Sequence, residues 1–456
     1  MNVLVINGSP KGQYSTTLQT SLFLEILHPE HTFSYLNAGQ KVRAFEKDFS
    51  EAEAALSAAD VIIFSYPVYT FLVPSQLHRF IELIKESNID ISGKFVTQIS
   101  TSKHFYDVTA HNFIRDNCFD LGLRYVKGFS ADMDDLTTEK GQREAETFFD
   151  YFLWCVNNDI SEPNNMCYSD PKHRMVTIPD NGAEKDKRPG DVVVVADLAE
   201  EDIQLATMIK RFSAVSSRSV RAVNIRSFPF KGGCISCFNC SVDGTCIYKD
   251  GFADLLRNDI QTAEAIVLAF SIKDHSMGSI FKTYDDRQFC NGHRTVTMGK
   301  PFAYLVSGNL SEEENLRMVI DGRAEVGGNF LAGVATDEFN PDADIDALAK
   351  KLSYAVENSY IQPANFLGVG GMKIFRDLIW LMQGMMKADH KFYKAHGQYD
   401  FPQKKRGRML AMYFVGGMMG NKKLKEKMGN KMNEGMIMPY KKALENARKR
   451  IKGVYS

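Results

Sequence analysis

The stretch Asn2-Val3-Leu4-Val5-Ile6-Asn7-Gly8-Ser9-Pro10-Lys11-Gly12-Gln13-Tyr14-Ser15-Thr16-Thr17 decides the fold. Val3–Ile6 is a short, unbroken apolar run rich in β-branched side chains, which reads as a buried strand. A loop with two glycines follows, and Ser15-Thr16-Thr17 opens a helix. Backbone N–H groups at such a helix N-terminus favour an anion, and hydroxyls at Ser9, Ser15, Thr16 and Thr17 can donate further hydrogen bonds to a phosphate. Gly8 and Gly12 permit close backbone approach. With Lys11, Gln13 and Tyr14 these residues form a candidate phosphate loop; a capped helix with no ligand is the competing reading.

Working outward, Val61–Phe64 and Phe95–Ile99 are further short β-rich runs, separated by stretches such as Pro74–Glu86 with apolar residues at helical spacing. That alternation predicts an α/β fold with a doubly wound parallel sheet over residues 1–160. Ligands of such sheets sit beyond the carboxyl ends of the strands. Ser65-Tyr66-Pro67-Val68-Tyr69 and Ser100-Thr101-Ser102 occupy those positions. Pro67, Val68 and Tyr69 would give a planar ring a rigid apolar edge, and Ser100, Thr101 and Ser102 would give it polar contacts.

Residues 161–190 are polar and aperiodic and read as a linker. The pattern then restarts. Asn2-Val3-Leu4-Val5-Ile6 aligns with Asp191-Val192-Val193-Val194-Val195 at an offset of 189, and Ala59–Phe64 aligns with Ala263–Leu268 at 204. The second copy, residues 191–357, has therefore gained 15 residues between these strands, the length of the segment Gly232–Cys246. The chain reads as an internal duplication, two tandem sheets with an insertion in the second.

That insertion carries Cys234-x2-Cys237-x2-Cys240-x5-Cys246. Three cysteines at consecutive two-residue gaps wrap one compact object, as in ferredoxin cubane iron–sulfur sites. Structural zinc, which favours paired knuckles, and a metal-free or disulfide loop are the alternatives. Cys118, Cys155, Cys167 and Cys290 are scattered and read as core residues.

The chain has 456 residues, 44% hydrophobic and 24% charged, with a net charge of −1. No secretory leader or membrane-spanning run is legible, and the clustered thiols suit a reducing, cytoplasmic setting. From His390 to Ser456 there are 17 Lys/Arg against 4 Asp/Glu, a balance of +13; the rest of the chain carries −14. Residues 358–456 form a basic, Met-rich helical extension. Ile374, Phe375, Leu378, Ile379, Met382, Met385 and Met386 supply an apolar face. It is expected to pack over the core or to dock on an anionic membrane surface or acidic partner. Nucleic-acid binding is not expected, because the tail is Met-rich and interrupted by glycine. Gly368-Val369-Gly370-Gly371 lacks dinucleotide-binding spacing and is expected to be a hinge.

Gly8-Ser9-Pro10-Lys11, Ser65-Tyr66-Pro67-Val68-Tyr69 and Val73-Pro74-Ser75-Gln76-Leu77 together resemble the NADPH-dependent FMN reductase group of flavodoxin-like proteins, over roughly residues 1–130. The second half resembles the iron–sulfur flavoproteins of the same superfamily, in which a run matching Cys234, Cys237, Cys240 and Cys246 holds a 4Fe–4S cluster near FMN. Lys282 and Asp285-Asp286-Arg287 look like that family's helix end. The resemblance implies two tandem flavodoxin-like domains and a flavin-dependent oxidoreductase. Its electron partner would be ferredoxin or NAD(P)H, and a homodimer is compatible with it. The second copy departs where it matters. Ala196-Asp197-Leu198-Ala199-Glu200-Glu201-Asp202 replaces the phosphate loop with carboxylates, which would repel a phosphate. The expectation is FMN on the first copy and the cluster on the second, facing each other. A flavin, quinone or nitro reductase with a structural metal or empty cysteine loop is an alternative, as is a non-catalytic redox carrier or sensor. No general acid or base is nominated.

Overall fold

Strand β1 (Asn2–Asn7) is buried at every residue after Asn2. Helices cover both of its faces, so it carries an unbroken apolar run where a half-exposed strand would alternate. Around it lie α1 (Thr16–Leu27), β2 (Thr32–Leu36), α2 (Ala38–Phe45), α3 (Ser50–Ala58), β3 (Val61–Pro67), α4 (Ser75–Ser87), β4 (Phe95–Ser102), α5 (Asp107–Asp120), β5 (Arg124–Tyr125), β6 (Phe129–Asp132) and α6 (Glu139–Asn157). The strands run parallel in the order β2-β1-β3-β4-β5, with β6 also pairing with β4. Val3, Val5 and Ile63 face α1 and α6 through Leu18, Leu24, Phe149 and Phe152. Leu4, Ile6, Ile62 and Phe64 face α2 to α5.

The second sheet repeats this plan. Its elements are β7 (Arg188–Ala196), α7 (Ile203–Val215), β8 (Arg218–Asn224), the short α8 (Asn239–Asp243) and α9 (Phe252–Asp254), β9 (Ala265–Ser271), α10 (Gly278–Arg287), β10 (Pro301–Ser307), α11 (Glu314–Gly327), β11 (Phe330–Thr336) and α12 (Pro341–Glu357). The strands are again parallel, in the order β8-β7-β9-β10-β11. Register follows the sequence repeat: Val3 pairs with Val61, and Val192, its equivalent, pairs with Ala265. The first strand of the second copy starts at Arg188, three residues earlier than expected, through an irregularity between Arg188 and Asp191. The cysteine segment lies between β8 and β9.

This computed structural model describes residues 1–164, 169–170, 173–179 and 188–419. Residues Met1–Tyr393 form one compact unit and Lys394–Ser456 another. Within the first unit the two copies meet through α4 and α10 in reciprocal contacts. Ser75 N at the start of α4 donates to Asp286 Oδ2 of α10, and Ser279 N at the start of α10 donates to Glu82 Oε1 of α4, both at 2.8 Å. Adding 204 to Ser75 and Glu82 gives Ser279 and Asp286, so one contact is written twice. Each carboxylate satisfies donors that a helix start leaves open. The preceding turns repeat as well. Thr70 and Phe71, and their equivalents Asp274 and His275, all have positive φ (40°, 72°, 52°, 62°). They form two-residue turns closed between Tyr69 and Leu72 and between Lys273 and Ser276. Non-glycine residues seldom adopt this conformation.

The extension begins with α13 (Phe366–Leu381) and α14 (Lys387–Ala395). Gly368-Val369-Gly370-Gly371 is not a hinge but part of α13. A Cβ on Gly368 would meet the Glu325 carbonyl oxygen at 2.8 Å, and one on Gly371 would meet Val326 at 2.6 Å. These glycines let α13 lie close on α11. Ile379 and Met386 are buried, as is Arg376, which sequence spacing places on the polar face. In the small unit, α15 (Arg406–Met419) exposes Met409, Leu410, Met412, Tyr413 and Phe414. No described helix is long and apolar enough to cross a membrane. Most of the basic tail, from residue 420 onward, lies outside the described residues, as does Cys167.

Candidate redox site

The first-copy loop is built on its own side chains. Asn7 Nδ2 donates to Gly12 O at 2.9 Å and to Asn37 Oδ1 at 3.0 Å, Asn7 Oδ1 accepts from Ser9 N, and Ser9 Oγ accepts from Lys11 N. Ser15 caps α1 by accepting from Leu18 N. Gly12 has φ +55°, and a Cβ on Gly39 of α2 would sit 2.3 Å from the Gly8 carbonyl oxygen. The loop therefore rests on the backbone of α2. Its open side faces a cavity of about 360 Å3, the size range of small-molecule sites.

Of the expected flavin-contacting residues, Ser9, Lys11, Ser15, Thr16, Pro67, Val68, Tyr69, Thr101 and Ser102 line this cavity. Four do not: Gln13, Tyr14, Thr17 and Ser100. Tyr14 is exposed, Thr17 is buried on the inner side of α1, and Ser100 Oγ is engaged by His111 Nε2 at 2.7 Å. Ser100 is fully buried and its hydroxyl is taken by His111, while Thr101 and Ser102, nearer the carboxyl end of β4, reach the cavity.

Cys234, Cys237, Cys240 and Cys246 line the same cavity from the second copy. Lys11 Nζ of the phosphate loop stands 5.5 Å from the ring centroid of Phe238, between the second and third cysteines. Gly233 passes close over α4, where a Cβ would meet Ser75 Oγ at 2.3 Å, and Gln76 Nε2 donates to Cys234 O at 3.3 Å. Ser236 and Phe238 adopt positive φ (50° and 62°), winding the backbone around the thiols. Ser236 N donates to Cys234 Sγ at 3.4 Å. Burial pushes the Cys234 thiol up to about 12, and burial also raises Cys240. A positive cluster bound there would remove that penalty by holding thiolates.

Four thiols that line one cavity form a donor set whose chemistry fits an iron–sulfur cluster.

Several supports were not legible as site residues. Arg287, 2% exposed, donates from Nη1 to Gly232 O and Asp250 Oδ2, and from Nη2 to Asp250 Oδ1, all at 2.8 Å. It stacks over Tyr248 at 4.3 Å. This clasp closes the base of the cysteine insertion. Burial raises the Asp250 carboxyl, but hydrogen bonds from Arg287 and from Lys231 N overcome it and hold the group at about 2. Arg257 donates to Gly244 O and Cys290 O, and Arg294 to Cys240 O and Asp389 Oδ1. The motif Asp285-Asp286-Arg287 was the available signal for the clasp. Cys290, buried as expected, also borders the cavity, and burial raises its thiol to about 12. Ile374, Phe375 and Leu378 of α13, with Met382 just after it, form an apolar wall, with Phe375 against Phe105 at 4.5 Å.

In the second copy the equivalent crevice is occupied by the chain itself. His173 Nδ1 lies 2.7 Å from Asp337 Oδ2, Arg174 N donates to Asp337 O, and Asn309 Nδ2 donates to Ser169 O. Gln204 at the start of α7 donates to Arg174 O. Linker residues thus cross the carboxyl edge of the second sheet. Asp197, paired with Arg226 at 2.9 Å, stands where the first copy has its phosphate loop, and burial raises it to about 6.

Residues 1–151 match the family model described as flavodoxin-like fold. The first domain has a flavodoxin-like fold. The chain is also 24% identical over 179 residues to an iron–sulfur flavoprotein of Archaeoglobus fulgidus, a match covering 36% of this chain and 78% of that protein. Among solved structures, an apo NADH:FMN oxidoreductase matches at 18% identity and TM-score 0.30, covering 36% of this chain and 91% of that one. An NAD(P)H:quinone oxidoreductase from Methanothermobacter marburgensis matches at 12% identity and TM-score 0.27, covering 36% and 98%. The flavodoxin-like domain brings the loop from Ser9 to Thr16 to the cavity, and the second copy brings the four thiols.

Proposed function

We propose that the chain is a flavin- and iron–sulfur-dependent oxidoreductase, with FMN on the flavodoxin-like domain and a 4Fe–4S cluster on the second. The observation that carries this reading is the single cavity onto which the phosphate loop and the four cysteines both open. The iron–sulfur flavoprotein to which the chain is similar supports it. Ser9, Lys11, Ser15 and Thr16 would hold the phosphate. Pro67, Val68, Tyr69, Thr101 and Ser102 would border the ring, and Cys234, Cys237, Cys240 and Cys246 would ligate iron. When bound, the pair supplies conversion between two-electron and one-electron donors. The protein's part is to bind, orient and exclude water: Phe105, Phe375 and Leu378 wall the cavity with apolar surface, and Tyr69, raised above its usual range by burial, stays protonated.

The test is the iron, acid-labile sulfide and FMN content of protein purified without oxygen. Near four iron and four sulfide per FMN is expected. Zinc or no metal beside one FMN would instead leave a flavin reductase with a structural cysteine loop.

The basic tail provides the attachment. Its net +13 favours an anionic bilayer, and the exposed apolar side chains of α15 can enter the interface. The full chain should sediment with anionic vesicles, and a chain ending at Tyr393 should not. Equal binding by both would remove this role.

A further inference from the structure

The duplication provides an internal comparison at the seam between α4 and α10. On one side, Lys282 reaches Asp286, Thr70 Oγ1 at 2.6 Å and Tyr69 O at 3.0 Å, with Lys282 and Asp286 both fully buried. An ammonium there neutralises a buried carboxylate and satisfies its neighbours. Subtracting 204 gives the residues in the same places on the other side: His78 for Lys282, Glu82 for Asp286. Asp274 is likewise the counterpart of Thr70. The cation has been replaced by an imidazole, and the hydroxyl by a second carboxylate.

His78 is fully buried, yet neither ring nitrogen has a hydrogen-bond partner; Asp274 Oδ2 is also buried without one. Leaving such atoms bare is costly. One ligand atom from each of His78, Glu82 and Asp274 lies within 4.8 Å of the others. A neutral imidazole keeps a lone pair on one ring nitrogen to give. Glu82 Oε1 accepts only Ser279 N and retains a second lone pair.

We propose that His78, Glu82 and Asp274 bind one divalent transition-metal ion in the seam, where it does for this side what the Lys282 ammonium does for the other. One imidazole with two carboxylates selects an ion of the zinc or cobalt type over magnesium or calcium. The ion would be separate from the cysteine site and structural, tying α4 to the turn before α10.

The probe is Co2+ added to the full-length protein, followed by its visible d–d bands, which for a nitrogen–oxygen site come without the near-ultraviolet charge transfer of thiolate ligation. Wild-type protein and Cys237→Ser should each take up one such equivalent. His78→Gln and Asp274→Asn should lose it, with at least a tenfold fall in affinity. Asp274 is partly exposed, so Asp274→Asn decides the matter if His78→Gln fails to fold. Unchanged uptake in Asp274→Asn, no uptake by wild type, or thiolate charge transfer that disappears with Cys237→Ser would each overturn the assignment.

Discussion

Replacing Asp250 with Asn keeps the shape of the Arg287 clasp and removes its charge. The carboxyl falls from its ordinary 3.8 to about 2 in the folded protein, which corresponds to roughly 2.4 kcal/mol at 1.36 kcal/mol per pKa unit. Asp250 and Arg287 side chains are each 2% exposed, so solvent screening takes little from that figure. A depressed carboxylate pKa contributes stability that is fully present above the unfolded value and lost as pH falls through about 2. The clasp joins Gly232 to Asp250, so its loss should register first in the cysteine insertion. Hydrogen exchange at pH 7 over residues 231–252 should quicken by about 60-fold, the same free energy expressed as a local opening constant. In urea denaturation the variant should be weaker at pH 7 and converge with wild type near pH 2. Acceleration of less than about fivefold, or a gap that persists at pH 2, would refute the assignment of the clasp as the tie that holds the insertion closed.

Gly39→Ala should lower FMN affinity by more than tenfold while leaving the second domain intact, because its Cβ would displace the Gly8 backbone from 2.3 Å away; equilibrium dialysis of FMN measures this. Thr16→Asp, on the exposed rim of the phosphate loop, should empty the protein of FMN by charge repulsion, and unchanged flavin content would move the site elsewhere. Cys237→Ala should abolish broad iron–sulfur absorbance with FMN retained; full iron content would count against the cluster. His275 is raised from 6.5 to about 9. The stability it contributes is complete below pH 6.5 and lost as pH rises through 9, about 3 kcal/mol in all. Thermal melts from pH 6 to 10 should show this slope in wild type and a flatter one in His275→Asn.

The parts of the fold that could be read were those where burial leaves a periodic trace. Both sheets are covered on two faces, so Val3–Ile6 and Val192–Val195 appear as unbroken apolar runs, and their common offset carried strand register with it. The position of the cysteine insertion followed from arithmetic on those offsets. What stayed hidden depended on contacts between distant residues. Arg287 looks like an ordinary basic helix end until Asp250 is folded against it. Gly368 and Gly371 have helical backbone, and their small size serves α11, which no local pattern announces. Ser100 shares the composition of its neighbours and differs in depth, its hydroxyl being taken by His111. The polar stretch around His173 and Arg174 gives no hint that it lies across the second sheet.

That strap of linker has an evolutionary corollary. In an assembly of two identical chains, any substitution that spoils one pocket spoils its twin, so neither can be given up. Joining the copies end to end breaks that bond. One pocket can be stoppered by the chain that connects them, and its half is then free to carry acidic residues, a longer loop and clustered thiols, while the other keeps its glycine loop. The connecting segment is therefore more than a tether: by filling the redundant pocket it makes the loss of symmetry hard to reverse.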